Sequence, residues 1–247
     1  MANEKPKPRV AWVAGVGAKD GLGASVARRF AAGGLVAAVT GRTLERLKIV
    51  VDDIESAGGQ AVAVPADVGS ETDSVAAANR VAELGELEAA VYNAASAVWA
   101  PSLEITGAQF EDTFRVTTLG GFLFAKEAIR RMLPRQRGTV IFTGATASIR
   151  GRPPFAAFAA AKAGLRSLSQ SFAREFGPQG IHVAHVVIDG GIDGERLRTA
   201  NPKRFADRGA DGLLAPRDIA DVYWQLHVQA KSAWTQELDL RPYNESF

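Results

Sequence analysis

A glycine-rich turn near the start of the chain is the part of the sequence best suited to bind a ligand. It follows the apolar run at about 10–14, precedes the helix-like segment ASVARRFA, and contains Gly15, Gly17, Gly21, Leu22 and Gly23. Glycines accept unusual backbone angles and let the main chain approach a ligand closely. Where such a turn opens a helix, free N–H groups stabilise a pyrophosphate. The turn therefore predicts a dinucleotide-binding loop; the alternative is an ordinary strand-to-helix turn.

The residue types exclude several other kinds of chemistry. The chain has no cysteine, so disulfides, thiolate nucleophiles and cysteine-based metal sites are excluded. The three histidines, His182, His185 and His227, are not spaced as metal ligands. We therefore expect no metal site.

Charge and hydropathy favour a small-molecule partner. The 29 basic and 27 acidic side chains give a net charge of +2 without a basic run, so nucleic acid is not an expected partner. No apolar stretch approaches the roughly 20 residues that span a bilayer, and the N-terminus is polar. We expect a cytoplasmic protein without a membrane partner.

Short apolar runs alternate with helix-like segments along the chain. The runs lie at about 10–14, 35–39, 61–65, 89–92, 139–143, 182–188 and 234–240, and helical spacing is clearest at 22–32, 44–57 and 155–176. This alternation predicts an α/β fold, a doubly wound, mostly parallel seven-stranded sheet with helices on both faces. We expect a polar tail over 1–8 and one domain over 9–247. The irregular stretch 193–216 follows a late strand and is a candidate substrate lid.

The glycine spacing makes the resemblance to one family specific. In the short-chain dehydrogenases/reductases, which share a Rossmann-type nucleotide-binding fold, three glycines are separated by three residues and then by one. Gly17, Gly21 and Gly23 have that spacing, whereas Gly15 stands directly at the strand end, where the family places its first glycine. Both registers stay open, and the loop is predicted to be two residues longer than usual.

The second strand bears on the choice of cofactor. It is followed by Thr40-Gly41-Arg42, at a point where NAD-preferring members of the family tend to carry an acidic residue. An arginine resembles the members that favour a 2′-phosphate, because a guanidinium pairs well with phosphate. NADP is therefore the predicted cofactor, with NAD possible. The alternative is that Arg42 only solvates the start of the next helix.

Further family marks follow in the expected order, so that the resemblance extends from about residue 10 to 240. Asp67 and Val68 resemble the family's adenine-contacting pair, and Asn93 and Ala94 begin a stretch similar to its Asn-Ala-Gly motif. Ile192 falls where the family packs a residue against the nicotinamide carboxamide. The resemblance implies that these five residues contact the cofactor.

The catalytic pattern of the family is broken. Its members use a tyrosine four residues before a lysine, and the corresponding segment here is Phe158-Ala159-Ala160-Ala161-Lys162. Lys162 is present, but Phe158 has no proton to give. Ala145 stands where the family has its serine, and Thr117 stands where it has an asparagine. The resemblance therefore assigns Lys162 to the cofactor ribose and leaves the proton donor open.

Other polar residues are candidates to replace the missing groups. They are Ser96, Thr146, Ser148 and Asp189, each of which is alternatively a structural hydroxyl or turn carboxylate. Asp189 is selected with Lys162 as catalytic, because a partly desolvated carboxyl group has a raised pKa and can donate a proton. An aromatic group comprising Trp99, Phe110, Phe155 and Phe158 is a candidate wall of an apolar pocket, or simply core.

Two functional hypotheses follow. The first is an NADP-dependent oxidoreductase that moves hydride to or from an apolar carbonyl, alcohol or enone with a non-standard proton donor. The second is an inactive NADP(H)-binding sensor or partner subunit. In both, the resemblance predicts a homodimer or homotetramer built on helices within 110–132 and 155–176, the second of which is apolar around much of its circumference.

Overall fold

A seven-stranded parallel sheet forms the centre of the protein in the computed structural model, which describes residues 6–246. The strands are β1 (Arg9–Ala14), β2 (Val36–Thr40), β3 (Gln60–Ala63), β4 (Glu86–Tyr92), β5 (Gly138–Thr143), β6 (Ile181–Ile188) and β7 (Glu237–Leu240). Their order is β3-β2-β1-β4-β5-β6-β7, and every neighbouring pair is parallel. The predicted fold class is confirmed. Residues 1–5 of the predicted tail lie outside the described residues.

Helices cover both faces of this sheet. They are α1 (Leu22–Ala32), α2 (Leu44–Ser56), α3 (Glu71–Leu84), α4 (Gly107–Phe114), α5 (Gly120–Met132), α6 (Ala156–Phe176), α7 (Glu195–Ala200), α8 (Pro202–Asp207) and α9 (Pro216–His227). A π-helical turn over Arg115–Leu119 joins α4 to α5. No helix within residues 6–246 is both long enough and apolar enough to cross a membrane.

The core consists of two layers, one on each side of the sheet. Successive residues of a strand point to opposite faces. In β1, Ala11 and Val13 therefore pack with α1, α2 and α9, whereas Val10 and Trp12 pack with α3, α5 and α6. Because both layers are apolar, the strands have the nearly continuous hydrophobic sequences from which a parallel sheet was predicted.

The last strand begins later than predicted. Residues 234–240 are predicted as a strand, but only Glu237–Leu240 pairs with β6. Trp234 stacks on the His182 ring with their centroids 4.9 Å apart, and the Thr235 N–H donates to the side-chain oxygen of Gln229 at 2.9 Å. These side-chain contacts replace strand pairing at the beginning of the run.

The segment predicted as an irregular lid contains two short helices, α7 and α8. Its ends are tied together beyond the sheet, because Leu214 N–H donates to Gly191 O at 2.8 Å and Asp193 N–H donates to Leu214 O at 2.9 Å. The segment is thereby held as a closed loop over the carboxyl ends of the central strands.

A buried polar cluster connects β6, β7 and α6. Arg166 donates two hydrogen bonds to the Glu237 carboxylate at 2.6 and 2.7 Å, and the His185 ring bonds to the same carboxylate at 2.9 Å. His185 is fully buried. Burial lowers the pKa of His185 to about 4 despite the neighbouring carboxylate. The folded protein therefore holds this imidazole neutral.

We predict that the protein loses stability as the pH falls from about 6.5 towards about 4. The unfolded chain protonates His185 near its ordinary pKa of about 6.5, whereas the folded chain resists protonation until about pH 4. The contribution of His185 to the unfolding free energy is complete above pH 6.5. Between pH 6.5 and pH 4 it declines by at most about 1.4 kcal/mol per pH unit. Urea unfolding at several pH values measures it.

The variant His185→Gln isolates this contribution. It keeps a hydrogen-bond donor towards Glu237 but has no titrating group, so the dependence of its unfolding free energy on pH should be shallower. Burial also lowers the pKa of His227 to about 4, so His227→Gln should make the slope shallower as well, and the double variant should have a shallower slope than either single variant. Equal slopes for the wild type and His185→Gln would contradict the assignment.

Candidate active site at the carboxyl edge of the sheet

The loops after β1 and β4 meet at the point where the chain changes direction within the sheet. Gly15 has φ +86°, and a Cβ on it would lie 2.4 Å from Ala94 N. Asn93 donates from its side-chain amide to Gly15 O at 3.1 Å. In open α/β sheets such a crevice is where ligands bind. The predicted residues Gly15, Asn93 and Ala94 are therefore in direct contact with one another.

The glycine loop leaves the start of α1 open. A Cβ on Gly23 would lie 2.6 Å from Gly15 O, so the helix packs directly on the loop. Gly21 is the N-cap of α1 and provides no side-chain cap to its first N–H groups. Gly17 faces open space, whereas Leu22 is buried. Close packing therefore requires glycine at 15 and 23, and the uncapped helix end fits a pyrophosphate.

The loops after β2 and β3 lie side by side. Ala66 N–H donates to Gly41 O at 3.1 Å, which places Arg42 close to Asp67. Arg42 is exposed and makes no hydrogen bond or ion pair to another residue within 6–246. Asp67 accepts from Gly69 N–H at 2.9 Å and from Arg115 at 3.1 Å, and Val68 packs partly buried against the adjoining core layer. The guanidinium of Arg42 is thus available to a ligand.

A cavity of about 280 Å³ continues from this edge beneath the segment that carries α7. Its walls come from the loop after β4, the loop after β5, the start of α6 and the α7 segment, and they include Asn93, Phe158, Lys162 and Ile192. Three members of the predicted aromatic group, Trp99, Phe155 and Phe158, line it. Phe110 does not, and its assignment to the pocket is corrected: it lies on α4, 41% exposed.

Lys162 lies at the inner end of the cavity. It is 3% exposed, and its ammonium donates to the carbonyl oxygen of Thr143 at 2.6 Å. Burial, and secondarily the positive charge of Arg196, lowers the pKa of Lys162 to about 7. A buried ammonium with a single carbonyl acceptor keeps two N–H groups free for a ligand hydroxyl.

No phenol takes the place of the missing tyrosine. The Phe158 ring centroid lies 5.8 Å from the Lys162 nitrogen. Tyr92 and Tyr223 are buried and donate to Val116 O and Thr143 Oγ1, and Tyr243 is 82% exposed. None of these three tyrosines lines the cavity.

Asp189 lies just behind the cavity wall. Its carboxylate accepts from the Thr146 hydroxyl at 2.5 Å and lies 3.5 Å from an Arg241 nitrogen. Thr146 lines the cavity and Asp189 does not. Asp189 can therefore reach a ligand only through the Thr146 hydroxyl, and its catalytic role stays a prediction.

The remaining polar candidates form hydrogen bonds within the protein. Ser148 accepts from Ala145 N–H at 3.0 Å, and Thr117 accepts from Ser96 N–H at 3.2 Å. The Ser96 hydroxyl donates to Asp112 at 3.2 Å.

Within residues 6–246, no group of three or more His, Asp or Glu side chains is arranged to hold a metal ion.

Sequence reasoning missed several cavity residues. Arg150 and Arg152 reach it from the turn before α6, Arg196 and Leu197 reach it from α7, and Glu245 reaches it from the C-terminal segment. The only signal for Arg196 was its place in the predicted lid. Nothing in the local pattern distinguishes Arg150 and Arg152 from ordinary surface arginines.

Comparison with known proteins agrees with this geometry. The model of the short chain dehydrogenase family matches residues 11–204, more than half of the chain. The chain belongs to the short-chain dehydrogenase family. It is 34% identical over 171 residues to the short-chain dehydrogenase/reductase eriH of Hericium erinaceus, which covers 67% of this chain and 68% of that protein.

Solved structures of the family resemble this short-chain dehydrogenase over nearly its whole length. A short-chain dehydrogenase from Rhodopseudomonas palustris is 40% identical with a TM-score of 0.80, covering 96% of this chain and 100% of that one. A metagenomic short-chain oxidoreductase in complex with NADP is 26% identical with a TM-score of 0.81, covering 96% and 97%. The relatives are thus named as dehydrogenases and oxidoreductases.

Proposed function

We propose that this short-chain dehydrogenase is an NADP-dependent oxidoreductase acting on a carbonyl or alcohol substrate in the cavity beside Lys162. The observation that carries the proposal is the buried Lys162 side chain, which lines the cavity, donates to the Thr143 carbonyl at the end of β5 and keeps further N–H groups for a ligand. The complex of a similar oxidoreductase with NADP supports the same choice of cofactor. When bound, the nicotinamide supplies or accepts the hydride.

The chain's own residues hold and orient the two reactants. The uncapped N–H groups at the start of α1 would bind the pyrophosphate, and Gly15 and Gly23 would allow the close packing of the loop that presents them. Asp67 and Val68 would hold the adenine, Arg42 would pair with the 2′-phosphate, and Ile192 would pack against the carboxamide. Lys162 would donate to the ribose hydroxyls. This positioning lowers the barrier without a side-chain acid, because it removes the entropic cost of bringing the reactants together.

Proton transfer runs through Thr146 in this proposal. When an alcohol is oxidised, its hydroxyl proton passes to the Thr146 hydroxyl, and the Thr146 proton passes to the Asp189 carboxylate. The carbon-bound hydrogen is transferred as hydride to the nicotinamide. When a carbonyl is reduced, the same protons move in the opposite direction and Asp189 must first be protonated. Water in the cavity is the other proton carrier.

The substitutions at the usual catalytic positions favour a second candidate function. Phe158 and Ala145 line the cavity, and neither side chain has a proton that it can donate. A protein with this pocket could bind NADP(H) without turnover, as a sensor or partner subunit. Mixing the protein with NADPH or NADP⁺ and a panel of aldehydes, ketones, enones and alcohols, while following cofactor absorbance, separates the two functions.

We predict that Phe158→Tyr combined with Ala145→Ser raises the reduction rate of simple ketones by roughly 10² to 10⁴. The phenol would lie one helical turn from Lys162 and the hydroxyl would face the same cavity. Steady-state kinetics with NADPH measures the gain. The single variant Phe158→Tyr is the control, because it measures the effect of adding one polar group to the cavity. A fast wild-type rate that the double variant lowers would show that another group already supplies the proton.

We predict that NADPH binds more tightly than NADH and that Arg42→Ala lowers NADPH affinity by roughly 10- to 100-fold, since an ionic hydrogen bond to phosphate is lost. NADH affinity should change little. Fluorescence titration of both nucleotides measures the difference, with Lys48→Ala as a control that removes an exposed cation from α2. Tighter binding of NADH by the wild type would contradict the cofactor assignment.

We predict a homodimer or homotetramer that covers the helices α4, α5 and α6. Four large apolar side chains on α4, the π-helical turn and α5 are unusually exposed: Phe110 at 41%, Phe114 at 41%, Leu119 at 42% and Phe122 at 38%. Exposed apolar surface of this extent indicates an interface. Light scattering at micromolar concentration should give a multiple of 26.1 kDa, and Phe114→Glu should shift it towards the monomer. A monomeric wild type would contradict the prediction.

A further inference from the structure

The cavity beside Lys162 carries an excess of positive charge. Arg150, Arg152 and Arg196 line it together with Lys162. The only carboxylate among its lining residues is that of Glu245, which lies 2.7 Å from an Arg208 nitrogen. Four cations thus surround a space whose single acid is already paired with a different arginine.

The three cavity arginines are unusual because they lack ion pairs. Most arginines whose side chains the structure describes pair with a carboxylate, as Arg115 does with Asp67 at 3.1 Å. The described side chains without such a pair are those of Arg42, Arg150, Arg152, Arg174 and Arg196. Three of these five line this cavity. Unpaired guanidinium groups are therefore concentrated at the proposed ligand sites.

The surroundings strengthen the field of these charges. Trp99, Phe155 and Phe158 provide apolar walls, and charges beside low-dielectric walls act more strongly than charges in open water. The Arg196 charge helps to lower the pKa of Lys162, so the two cations already act on each other. A bound anion would relieve this repulsion.

The arginines also reach the cavity from two separate elements, the turn before α6 and helix α7. Arg152 lies over the Phe155 ring, 5.9 Å from its centroid, on the turn before α6. Arg196 lies on α7, which is fixed to the glycine loop because Arg198 pairs with Asp20 and Glu195 N–H donates to the same carboxylate at 3.3 Å. An anion in the cavity can therefore be bound from both elements.

We propose that the substrate carries an anionic group, a carboxylate or a phosphate monoester, which Arg150, Arg152 and Arg196 bind while its hydroxyl or carbonyl faces Lys162. Guanidinium groups match both anions through paired N–H donors. The apolar walls accommodate the carbon skeleton between the two ends. This specificity rests on the proposed oxidoreductase function and narrows its substrates from apolar carbonyl compounds in general to acids.

Calorimetric binding tests the proposal independently of turnover. The probes are benzoylformate, its neutral methyl ester and phenyl phosphate, each titrated into the full-length protein with and without saturating NADP⁺. We expect at least one of the two anions to bind roughly tenfold or more tightly than the ester. Its affinity should fall as salt is added, since salt screens the partly exposed arginines. The stronger of the two anions identifies the preferred group.

Three variants locate the anion. Arg150→Gln, Arg152→Gln and Arg196→Gln should each weaken binding of the preferred anion by roughly tenfold and leave the ester unchanged. Arg174→Gln, which removes an unpaired arginine on α6 that does not line the cavity, is the matched control and should change neither affinity. Equal affinity for acid and ester, no measurable binding of either anion at millimolar concentration, or equal losses for both probes would overturn the proposal.

Measuring turnover of the same compounds distinguishes failure of the anion site from failure of the oxidoreductase function. Benzoylformate carries a reducible ketone, so its arginine-dependent binding without any change in NADPH absorbance would refute the oxidoreductase function and leave the anion site standing. Phenyl phosphate has neither a ketone nor an alcohol and reports binding only. Reduction of neutral ketones without a preference for acids would support the oxidoreductase function and refute the anion site.

Discussion

The rest of the site depends on the contact between the glycine loop and the loop after β4. Gly15 leaves no room for a Cβ against Ala94, and Asn93 binds the Gly15 carbonyl. This contact fixes the end of β1 against the end of β4, the two strands at which the sheet reverses its order. The start of α1 and the inner wall of the cavity both take their positions from it. A side chain at position 15 would push these loops apart.

Lys162 imposes the second constraint, which is electrostatic. Burying an ammonium is costly unless it is well hydrogen-bonded, and the described residues give it one acceptor, Thr143 O. Tyr223 helps to fix that residue by donating to the Thr143 hydroxyl at 2.9 Å. The remaining N–H groups of Lys162 are available to ligand oxygens. Phe158, four residues before Lys162, leaves this hydrogen-bonding capacity unchanged and offers no proton donor of its own.

The α7 segment joins the glycine loop to the cavity. Asp20 belongs to the glycine loop, and its carboxylate binds both Arg198 and the backbone of Glu195 on α7. Arg196 and Leu197, between those two contacts, face the cavity. The glycine loop thus has a structural role, since it supplies the carboxylate that positions the cavity-lining part of α7.

The sequence by itself determined the sheet, the helices over 22–32 and 155–176, and the glycine loop, because these follow from apolar periodicity and from the steric freedom of glycine, which act over a few neighbouring residues. It also determined that Phe158 and Ala145 bring no proton. Only the tertiary structure decided that Phe110 does not line the cavity and that β7 begins three residues later than the predicted strand. The three unpaired arginines likewise converge only in the folded chain. Side-chain partners depend on contacts between residues far apart in the chain, such as Asp189 with Thr146 and Arg241, and no local pattern encodes those contacts.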